Sequence, residues 1–453
     1  MQRKRLIYNT ALLTASSLLM SCIGMAFQVW LAGRIGSAGI GLYQLVLSVT
    51  NLCATFAISG IRFAATRLIS EELGSENLAG IRSAMGRCLA YGLFFGTAAG
   101  AVLWFLAEPV GFLCVGDART VMSLRISALS MPCISLCAAL SGYFTACGRV
   151  WKPTLIHLFE QLLVIALVAW LLGRSPAGDI EKNCAAVTIG RVAADIASLL
   201  LMLLAFYHDR RAHYSERGGG RRLTSRMLKI ALPLAVSAYA RSALSTLEHL
   251  LVPRGLRAAG YTADGALSGY GVIQGMVLPV IFFPSCIMGA VAELIVPELT
   301  AAQVQGEGRE IRRVTGRLIR LSLLFSGAVG LFMFVFSDML GLSIYKSSEA
   351  GRYIRVLAPL IPVMYTDMTV DGCLKGLGQQ VWSMAINILD ALLGLLLVWQ
   401  LLPRYALSAY IFTIYATELV NFALSGLRLL RVLRSRPSAP ASAERRSAAR
   451  QRL

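Results

Sequence analysis

Residues 125–135 read RISALSMPCIS, and residues 355–365 read RVLAPLIPVMY. A constant offset of 230 relates the two stretches, and the relation continues to residue 172 in the first copy and residue 402 in the second. The matched positions include Arg125 with Arg355, Pro132 with Pro362, Gly148 with Gly378, His157 with Asn387, and Glu160 with Asp390. A match at a fixed offset predicts two copies of one structural unit. In a membrane chain it indicates a transporter with two lobes and a site between them.

The chain as a whole is too apolar for a soluble protein. Hydrophobic residues make up 56% of its 453 residues, and the mean hydropathy is +0.65, as is usual for a chain that crosses a membrane many times. We count about twelve apolar runs that are long enough to span a bilayer. They lie at roughly 8–33, 40–65, 86–107, 121–146, 153–173, 184–207, 227–252, 268–299, 318–337, 353–374, 382–402 and 405–430.

The net charge of +19 is concentrated in alternate loops, which argues against a nucleic-acid partner. Lysine and arginine crowd residues 3–5, the segments 210–229 and 309–320, and the C-terminal residues from Arg428 onward. Positively charged loops are retained in the cytoplasm. We therefore expect a multi-pass membrane protein with both termini cytoplasmic and with membrane lipids around it.

A basic segment divides the predicted helices into two sets of six. It covers residues 208–226 and contains three consecutive glycines, which suits a flexible linker. An even number of helices in each set gives both copies the same orientation, so the copies are parallel repeats. We predict an N-lobe at 1–207, a C-lobe at 227–433, and a basic disordered cytoplasmic tail at 434–453.

The seventh predicted helix carries three polar residues on one face. Arg241, Ser245 and Glu248 recur at i, i+4 and i+7, a spacing that places them side by side. A charge at the bilayer centre costs about 2.5–3.5 kcal/mol on insertion scales, so it needs a partner or water. Either an Arg–Glu pair holds two helices together, or the face lines a water-filled cavity for a charged substrate. Arg62, in the second helix, either reaches the membrane interface or lines the inner mouth of that cavity.

Other charged residues are candidates for ion coupling. Asp371 and Lys375 continue an i, i+4 ladder from Asp367 on the tenth helix, and such a ladder also forms purely structural ion pairs. Glu293, near the end of the eighth helix, has the same two interpretations. The four histidines and ten cysteines form no metal-binding pattern. We therefore expect no metal site and no catalytic residues.

Two long stretches resemble a known family. Residues 251–302 read LVPRGLRAAGYTADGALSGYGVIQGMVLPVIFFPSCIMGAVAELIVPELTAA, and residues 33–74 read GRIGSAGIGLYQLVLSVTNLCATFAISGIRFAATRLISEELG. Both are similar to the stage V sporulation protein B branch of the polysaccharide transporters. That branch belongs to the superfamily of multidrug, oligosaccharidyl-lipid and polysaccharide flippases.

The resemblance implies a V-shaped, MATE-like pair of six-helix lobes in a bacterial plasma membrane. Relatives move undecaprenyl-diphosphate-linked sugars, including the peptidoglycan precursor lipid II, by alternating access. The resemblance thus suggests a flippase in polysaccharide, cell-wall or spore-cortex biosynthesis during sporulation. Two lobes around one mobile cavity need no oligomer, so we expect a monomer, and we expect no cofactor other than a coupling ion. Many family members have fourteen spans, whereas about twelve are counted here, which puts a lipid-tail groove built from extra helices in doubt.

The predicted substrate needs cations for its phosphates, and arginine gives bidentate, permanently charged contacts to phosphate. Arg241 and Arg62 are the leading candidates, and Arg254 is a candidate at the outer mouth. Transmembrane voltage or a carboxylate-bound Na⁺ or H⁺ would supply energy, with Glu248, Glu293 or Asp371 as the ion site.

Three other functions compete with this interpretation. A cation-coupled multidrug exporter of the same superfamily would need an acidic cavity, against which Arg241 argues. A membrane glycosyltransferase would need catalytic carboxylates near an aqueous loop, and the short outer loops hold no acidic pair. A scaffold for cell-wall enzymes would not require buried charges. We therefore expect a transporter and not an enzyme.

Overall fold

The computed structural model describes residues 2–75, 78–174, 179–213, 223–289, 291, 299–300, 303 and 308–434. Across these residues the chain is almost entirely helical and has no β-strand. The predicted all-α membrane fold is therefore confirmed. The chain forms two compact units. Unit 1 comprises Met1–Met276 with Val398–Ala406, and unit 2 comprises Val277–Leu397 with Leu407–Leu453.

Unit 1 contains nine of the described helices. They are α1 (Gln2–Ile58), α2 (Ile61–Gly74), α3 (Leu78–Pro109), α4 (Thr120–Ala128), α5 (Met131–Ala146), α6 (Trp151–Leu172), α7 (Ile180–His213), α8 (Leu223–Ala258) and α9 (Ala263–Gly271). A π-helical turn at Val110–Val115 follows α3, and a second at Val272–Val277 follows α9.

Most of the described helices that begin in unit 2 are short, whereas the second and the last of them are long. They are α10 (Leu278–Phe282), α11 (Gly308–Val335), α12 (Ser337–Tyr345), α13 (Ser348–Leu357), α14 (Ile361–Gly376) and α15 (Gln380–Arg434). The predicted lobe boundary is not the boundary between the compact units, so the six-helix lobes stay a prediction. Helix α7 extends to His213 and α8 begins at Leu223. The rest of the predicted linker, and the tail from residue 435, lie outside the described residues.

Seven segments of the described chain are long and apolar enough to cross a membrane, or eight if the bent pair α4–α5 is one span. Two of them, Leu18–Gly74 and Gln380–Arg434, are 57 and 55 residues long. A helix rises about 1.5 Å per residue, so each exceeds twice the roughly 30 Å hydrocarbon core. Each contains a non-helical residue, Gly36 in α1 and Ala406 in α15. Each can therefore supply two spans, and the chain is a multi-pass membrane protein.

The internal repeat is visible in the turn that ends α5 in unit 1 and α14 in unit 2. Gly148 takes φ +69° and Gly378 takes φ +70°. In each turn, the amide of the residue after the glycine donates to the carbonyl five residues earlier, over 2.9 Å in both copies (Arg149 to Phe144, and Gln379 to Leu374). A left-handed residue at a helix end favours glycine because it has no Cβ. The geometry of this turn explains why both copies have glycine at this position.

Two glycines bring α1 and α9 into backbone contact in unit 1. A Cβ on Gly41 would lie 2.1 Å from the carbonyl oxygen of Leu267, and one on Gly271 would lie 2.1 Å from that of Ser37. Only glycine permits this approach. In this conformation it packs the second half of α1 closely against α9, next to the cavity described below.

Candidate functional site

A polar cavity of about 390 Å³ lies in unit 1 among α1, α8, α9 and the π-helical turn after α9. Its walls are formed by Gln44, Leu47, Ser48, Asn51, Thr55, Ala238, Arg241, Ser242, Ser245, Thr246, His249, Tyr270 and Gln274. Along α1 the polar residues recur at every third or fourth position, and α8 shows the same spacing. That spacing places each set on one helical face.

The charge of the cavity comes from Arg241. It is exposed to the cavity, and it makes no hydrogen bond or ion pair with the residues that the structure describes. None of the lining residues is a carboxylate. The remaining polar groups are neutral amides and hydroxyls, together with the His249 ring. The cavity is thus suited to an anion that also offers hydroxyl groups.

Three hydrogen bonds tie the walls together. Thr246 donates to the carbonyl of Ser48 over 3.1 Å, and Thr55 donates to the Ser242 hydroxyl over 3.3 Å. His249 Nδ1 and the Tyr270 hydroxyl are 3.2 Å apart. The first two contacts join α8 to α1, and the third joins α8 to α9.

Contacts between the same helices lie on both sides of the cavity along α1. On the side nearer Gly36, the hydroxyls of Ser37 and Ser268 are 2.6 Å apart. On the other side, Tyr239 donates to the Ser59 hydroxyl over 2.5 Å, and the rings of Phe56 and Tyr239 lie 4.3 Å apart. The cavity is therefore flanked by two layers of contact.

Contacts between the turn that joins α3 to α4 and the helices α8 and α9 reinforce the layer nearer Gly36. Arg257 donates to the carbonyls of Gly116 and Val115 over 2.8 and 2.9 Å. Arg119 bonds Asp117 and reaches Asp264 at 2.7 Å. Hydrogen bonding to Asp117, and then to Asp264, raises the pKa of Arg119, so its guanidinium stays charged.

Beyond the opposite layer, a second ionic link joins α2 and α8. Arg226 pairs with Glu71 and lies 3.4 Å from a carboxylate oxygen of Glu72. The carbonyl of Ala231 would lie 2.6 Å from a Cβ on Gly60, which has φ +71°. This end of unit 1 is thus also closely packed.

The structure brings together some of the predicted site residues. Arg241 and Ser245 line the cavity, whereas Glu248 and Arg254 on the same helix are not among its lining residues. Glu248 is engaged in another interaction, and Arg254 is half-buried.

Arg62 lines a separate cavity of about 200 Å³ in unit 1. That cavity also contains Glu160 and Asp195, and His157 Nδ1 lies 3.2 Å from Glu160 Oε2. The two arginines predicted to share one substrate chamber therefore lie in different cavities.

In unit 2, the predicted ion-coupling residues are paired with each other. Lys375 lies 2.5 Å from a carboxylate oxygen of Asp371, which also accepts a hydrogen bond from Ser383. Glu293 lies outside the described residues. No group of three or more metal-binding side chains occurs in the described part of the chain.

Sequence reasoning did not single out Gln44, His249 or Gln274 for the site. A signal was available, because Gln44, Ser48 and Asn51 follow the i, i+4, i+7 pattern of one helical face. The π-helical turn that includes Gln274 had no comparable signal.

A protein-family model described as MatE matches residues 13–171 and, a second time, residues 256–400. The chain belongs to the MatE family. Two matches of one model agree with the internal repeat, and the predicted resemblance to this superfamily is confirmed.

Two curated relatives of this MatE protein come from Bacillus subtilis (strain 168). It is 24% identical over 413 residues to Stage V sporulation protein B, covering 90% of this chain and 80% of that protein. It is 22% identical over 389 residues to Sporulation protein YkvU, covering 84% and 86%.

Solved structures of transporters share the fold. An inward-facing multidrug resistance MATE family transporter of the MOP superfamily matches with a TM-score of 0.68 and 14% identity, over 91% of this chain and 95% of that one. A MOP superfamily transporter from Pyrococcus furiosus, described as having a binding pocket of reverse polarity, matches at 0.62 and 13%, over 94% and 96%. Together with the family match, these structures identify a membrane transporter of the MOP superfamily.

Proposed function

We propose that this MatE protein is a flippase that moves an undecaprenyl-diphosphate-linked sugar across the bacterial plasma membrane. Its cargo would be a peptidoglycan or polysaccharide precursor such as lipid II, used for cell-wall or spore-cortex synthesis. The observation that carries the proposal is the Arg241 guanidinium, which has no partner among the described residues and lies in a cavity whose described lining contains no carboxylate.

A diphosphate and a sugar require different kinds of binding group, and the cavity contains both kinds. The phosphates require a cation with directed donors, which Arg241 supplies. The sugar hydroxyls require neutral donors and acceptors, which Gln44, Asn51 and Ser245 supply.

The cavity volume suits the head group rather than the whole lipid. Small-molecule sites measure about 300–1,000 Å³, and the cavity measures about 390 Å³. The polyprenyl tail is apolar and remains in hydrocarbon at no cost. The cavity would therefore carry only the diphosphate and its nearest sugar, while the tail follows within the bilayer.

A cation-coupled multidrug exporter is the rival function, because solved structures with this fold include multidrug transporters. An organic cation would meet the Arg241 charge without a carboxylate to offset it, which disfavours binding. In the Pyrococcus furiosus transporter, a binding pocket of reversed polarity suggests a different function. The polarity found here favours an anionic cargo.

The proposal includes Na⁺ or H⁺ as a coupling ion, with a monomer as the working unit. Asp371 already has Lys375 as a cationic partner 2.5 Å away, so an ion would have to displace that lysine. Glu248 lies on α8, one helical turn or less from the cavity residues Ser245 and His249. Glu248 also takes part in another interaction, so its nearness to the cavity is the reason that we prefer it to Asp371 for this role.

The test is a reconstituted flipping assay with a fluorescent undecaprenyl-diphosphate sugar. The variants are Arg241→Ala, Arg241→Lys, and Arg254→Ala as a matched control on the same helix. We expect Arg241→Ala to abolish translocation, Arg241→Lys to retain part of it, and Arg254→Ala to behave as wild type.

Unchanged translocation by Arg241→Ala would contradict the role of this residue while leaving the flippase intact. Wild-type protein that moves an organic cation but no lipid-linked sugar would overturn the flippase in favour of the exporter.

A further inference from the structure

A third cavity in unit 1, of about 260 Å³, lies where α3, α5 and α7 meet. Most of its lining residues are apolar in type, and one of them, Arg82, is charged. We infer that this cavity binds the phosphate of an anionic phospholipid from the surrounding bilayer, with Arg82 as the phosphate ligand. The inference is independent of the proposed cargo, because this cavity and the Arg241 cavity share no lining residue.

The depth of the cavity matches that of a lipid headgroup. Arg82 lies two residues from the start of the span Gly80–Val115, and Phe206 lies three residues from the end of the span Ile180–Asp209. Tyr143 lies three residues from the end of α5 at Ala146. At about 1.5 Å per residue, Arg82 and Phe206 are within roughly 5 Å of the ends of these apolar spans, and Tyr143 is within roughly 5 Å of the end of α5. Phospholipid phosphates lie at this level of a bilayer.

Arg82 provides the positive charge that a phosphate group requires. It is half-buried, and it makes no hydrogen bond or ion pair among the described residues. The nearby acid, Asp209, is already satisfied: it pairs with Arg149 and Lys152 and accepts from the Tyr143 hydroxyl at 3.0 Å. A guanidinium that has no partner among the described residues at this depth can serve as a phosphate ligand with directed donors.

The cavity is open next to Arg82 because Gly86 has no side chain. The two residues are one helical turn apart, on the same face of α3. A Cβ added at Gly86 would meet no atom within 4 Å, and Gly86 itself is exposed. Beyond it, Leu89 and Phe206 give an apolar wall. That combination of one cation and apolar surface fits the phosphate and upper acyl chain of a lipid better than a free, fully hydrated anion.

The positive-inside pattern assigns this end of the helices to the cytoplasmic leaflet. Helix α7 runs from this end into the basic segment 208–226, which is predicted to be cytoplasmic. Arg149, in the turn after α5, and Lys152, at the start of α6, add positive charge at the same end. Anionic lipids give that leaflet its negative surface potential, and a basic residue near it contributes about 1 kcal/mol. The expected occupant is thus an anionic phospholipid, for which phosphatidylglycerol is the probe.

The test is native mass spectrometry of the full-length protein in detergent with added phosphatidylglycerol or phosphatidylcholine. Arg82→Ala should lower the affinity for phosphatidylglycerol about fivefold, and Arg82→Lys should restore part of it. Gly86→Phe fills the cavity and should weaken the binding of both lipids. Arg87→Ala is the matched control, because Arg87 lies about 140° around α3 from Arg82 and does not line the cavity.

The outcomes separate the two phosphate sources. Phosphatidylglycerol retained by Arg82→Ala and by Gly86→Phe at wild-type affinity would overturn the site. Inorganic phosphate that raises the thermal stability of wild type but not of Arg82→Ala, with no lipid adduct, would overturn the lipid in favour of a free anion. Wild-type elution of each variant on size-exclusion chromatography establishes that it is folded.

Discussion

The guanidinium of Arg125 lies 2.7 Å from a carboxylate oxygen of Glu108, so that α4 is tied to the end of α3. The residues 230 positions later, Arg355 and Asp338, form the same pair between α13 and α12. The acid differs between the copies, whereas the connection is the same. The repeat therefore preserves an interaction as well as a pattern of residues.

Loss of this pair should have a small cost in both copies. All four side chains are more than one third exposed, and such pairs contribute about 0–1 kcal/mol because solvent screens them. We expect Glu108→Ala and Asp338→Ala to change the free energy of unfolding by less than about 1 kcal/mol each. Thermal unfolding of the detergent-solubilised protein measures this, and a loss of several kcal/mol would mean that the pair is not screened.

Asp209 should be far more sensitive. Its side chain is 5% exposed, and it pairs with Arg149 and Lys152. Truncation would leave these charges without their partner, which costs about 3–5 kcal/mol for a buried pair. We expect Asp209→Ala to lower the thermal midpoint strongly. Asp264→Ala, which removes an acid that is 64% exposed, is the control and should have little effect.

The contact between Ser37 and Ser268 should open during transport. Their hydroxyls are 2.6 Å apart, so a Ser37→Cys, Ser268→Cys double variant is placed for a disulfide. If the flippase works by alternating access, oxidation should stop flipping and reduction should restore it. Each single variant is the control. Full activity of the cross-linked protein would show that this layer stays closed throughout transport.

A carboxylate in the cavity should cancel the charge of Arg241. Ser245 is one turn from Arg241 on the same face and lines the same cavity. Ser245→Asp would pair with Arg241 and repel an anionic cargo, lowering flipping by about tenfold or more for a loss near 1.4 kcal/mol. Ser245→Asn, which has the same size without the charge, should remain active. Equal activity of both variants would contradict an anionic cargo.

The break in α15 should be relieved by glycine. Ala406 has φ +51° and ψ −135°, a conformation that costs a non-glycine residue about 1–3 kcal/mol. Ala406→Gly should therefore raise the thermal midpoint. Ala391→Gly, inside the regular part of the same helix, should lower the free energy of unfolding by about 1 kcal/mol and thereby lower the midpoint. A lower midpoint for Ala406→Gly would mean that the methyl group is needed for packing.

Much of the fold could be predicted from the sequence because apolar runs and a fixed-offset match are both one-dimensional signals. Gly148 and Gly378 are matched by sequence and share one turn geometry. Helix continuity was harder to foresee. The break at Gly36 is a φ/ψ property of one residue inside a 57-residue helix, and glycine is common in membrane spans without breaking them.

The candidate site was only partly predictable. Helical spacing placed Arg241 and Ser245 on one face, and the cavity contains both. Spacing also put Glu248 beside them, but an angular difference of a few tens of degrees decides whether a side chain reaches a cavity or a neighbouring helix. Arg62 was grouped with Arg241 by charge alone, and charge carries no information about which cavity a residue enters.

The single charge of the Arg241 cavity has an electrical consequence. With a lipid diphosphate bound, the cargo's negative charge exceeds the one positive charge of the guanidinium, whereas the empty cavity is positive. One elementary charge crossing 100 mV exchanges about 2.3 kcal/mol. In a cell whose interior is negative, the loaded chamber would be driven outward and the empty chamber inward. The membrane potential would then favour both halves of the cycle, the outward movement of the loaded chamber and the inward return of the empty one. The arginine that holds the phosphate would thus also set the direction of transport.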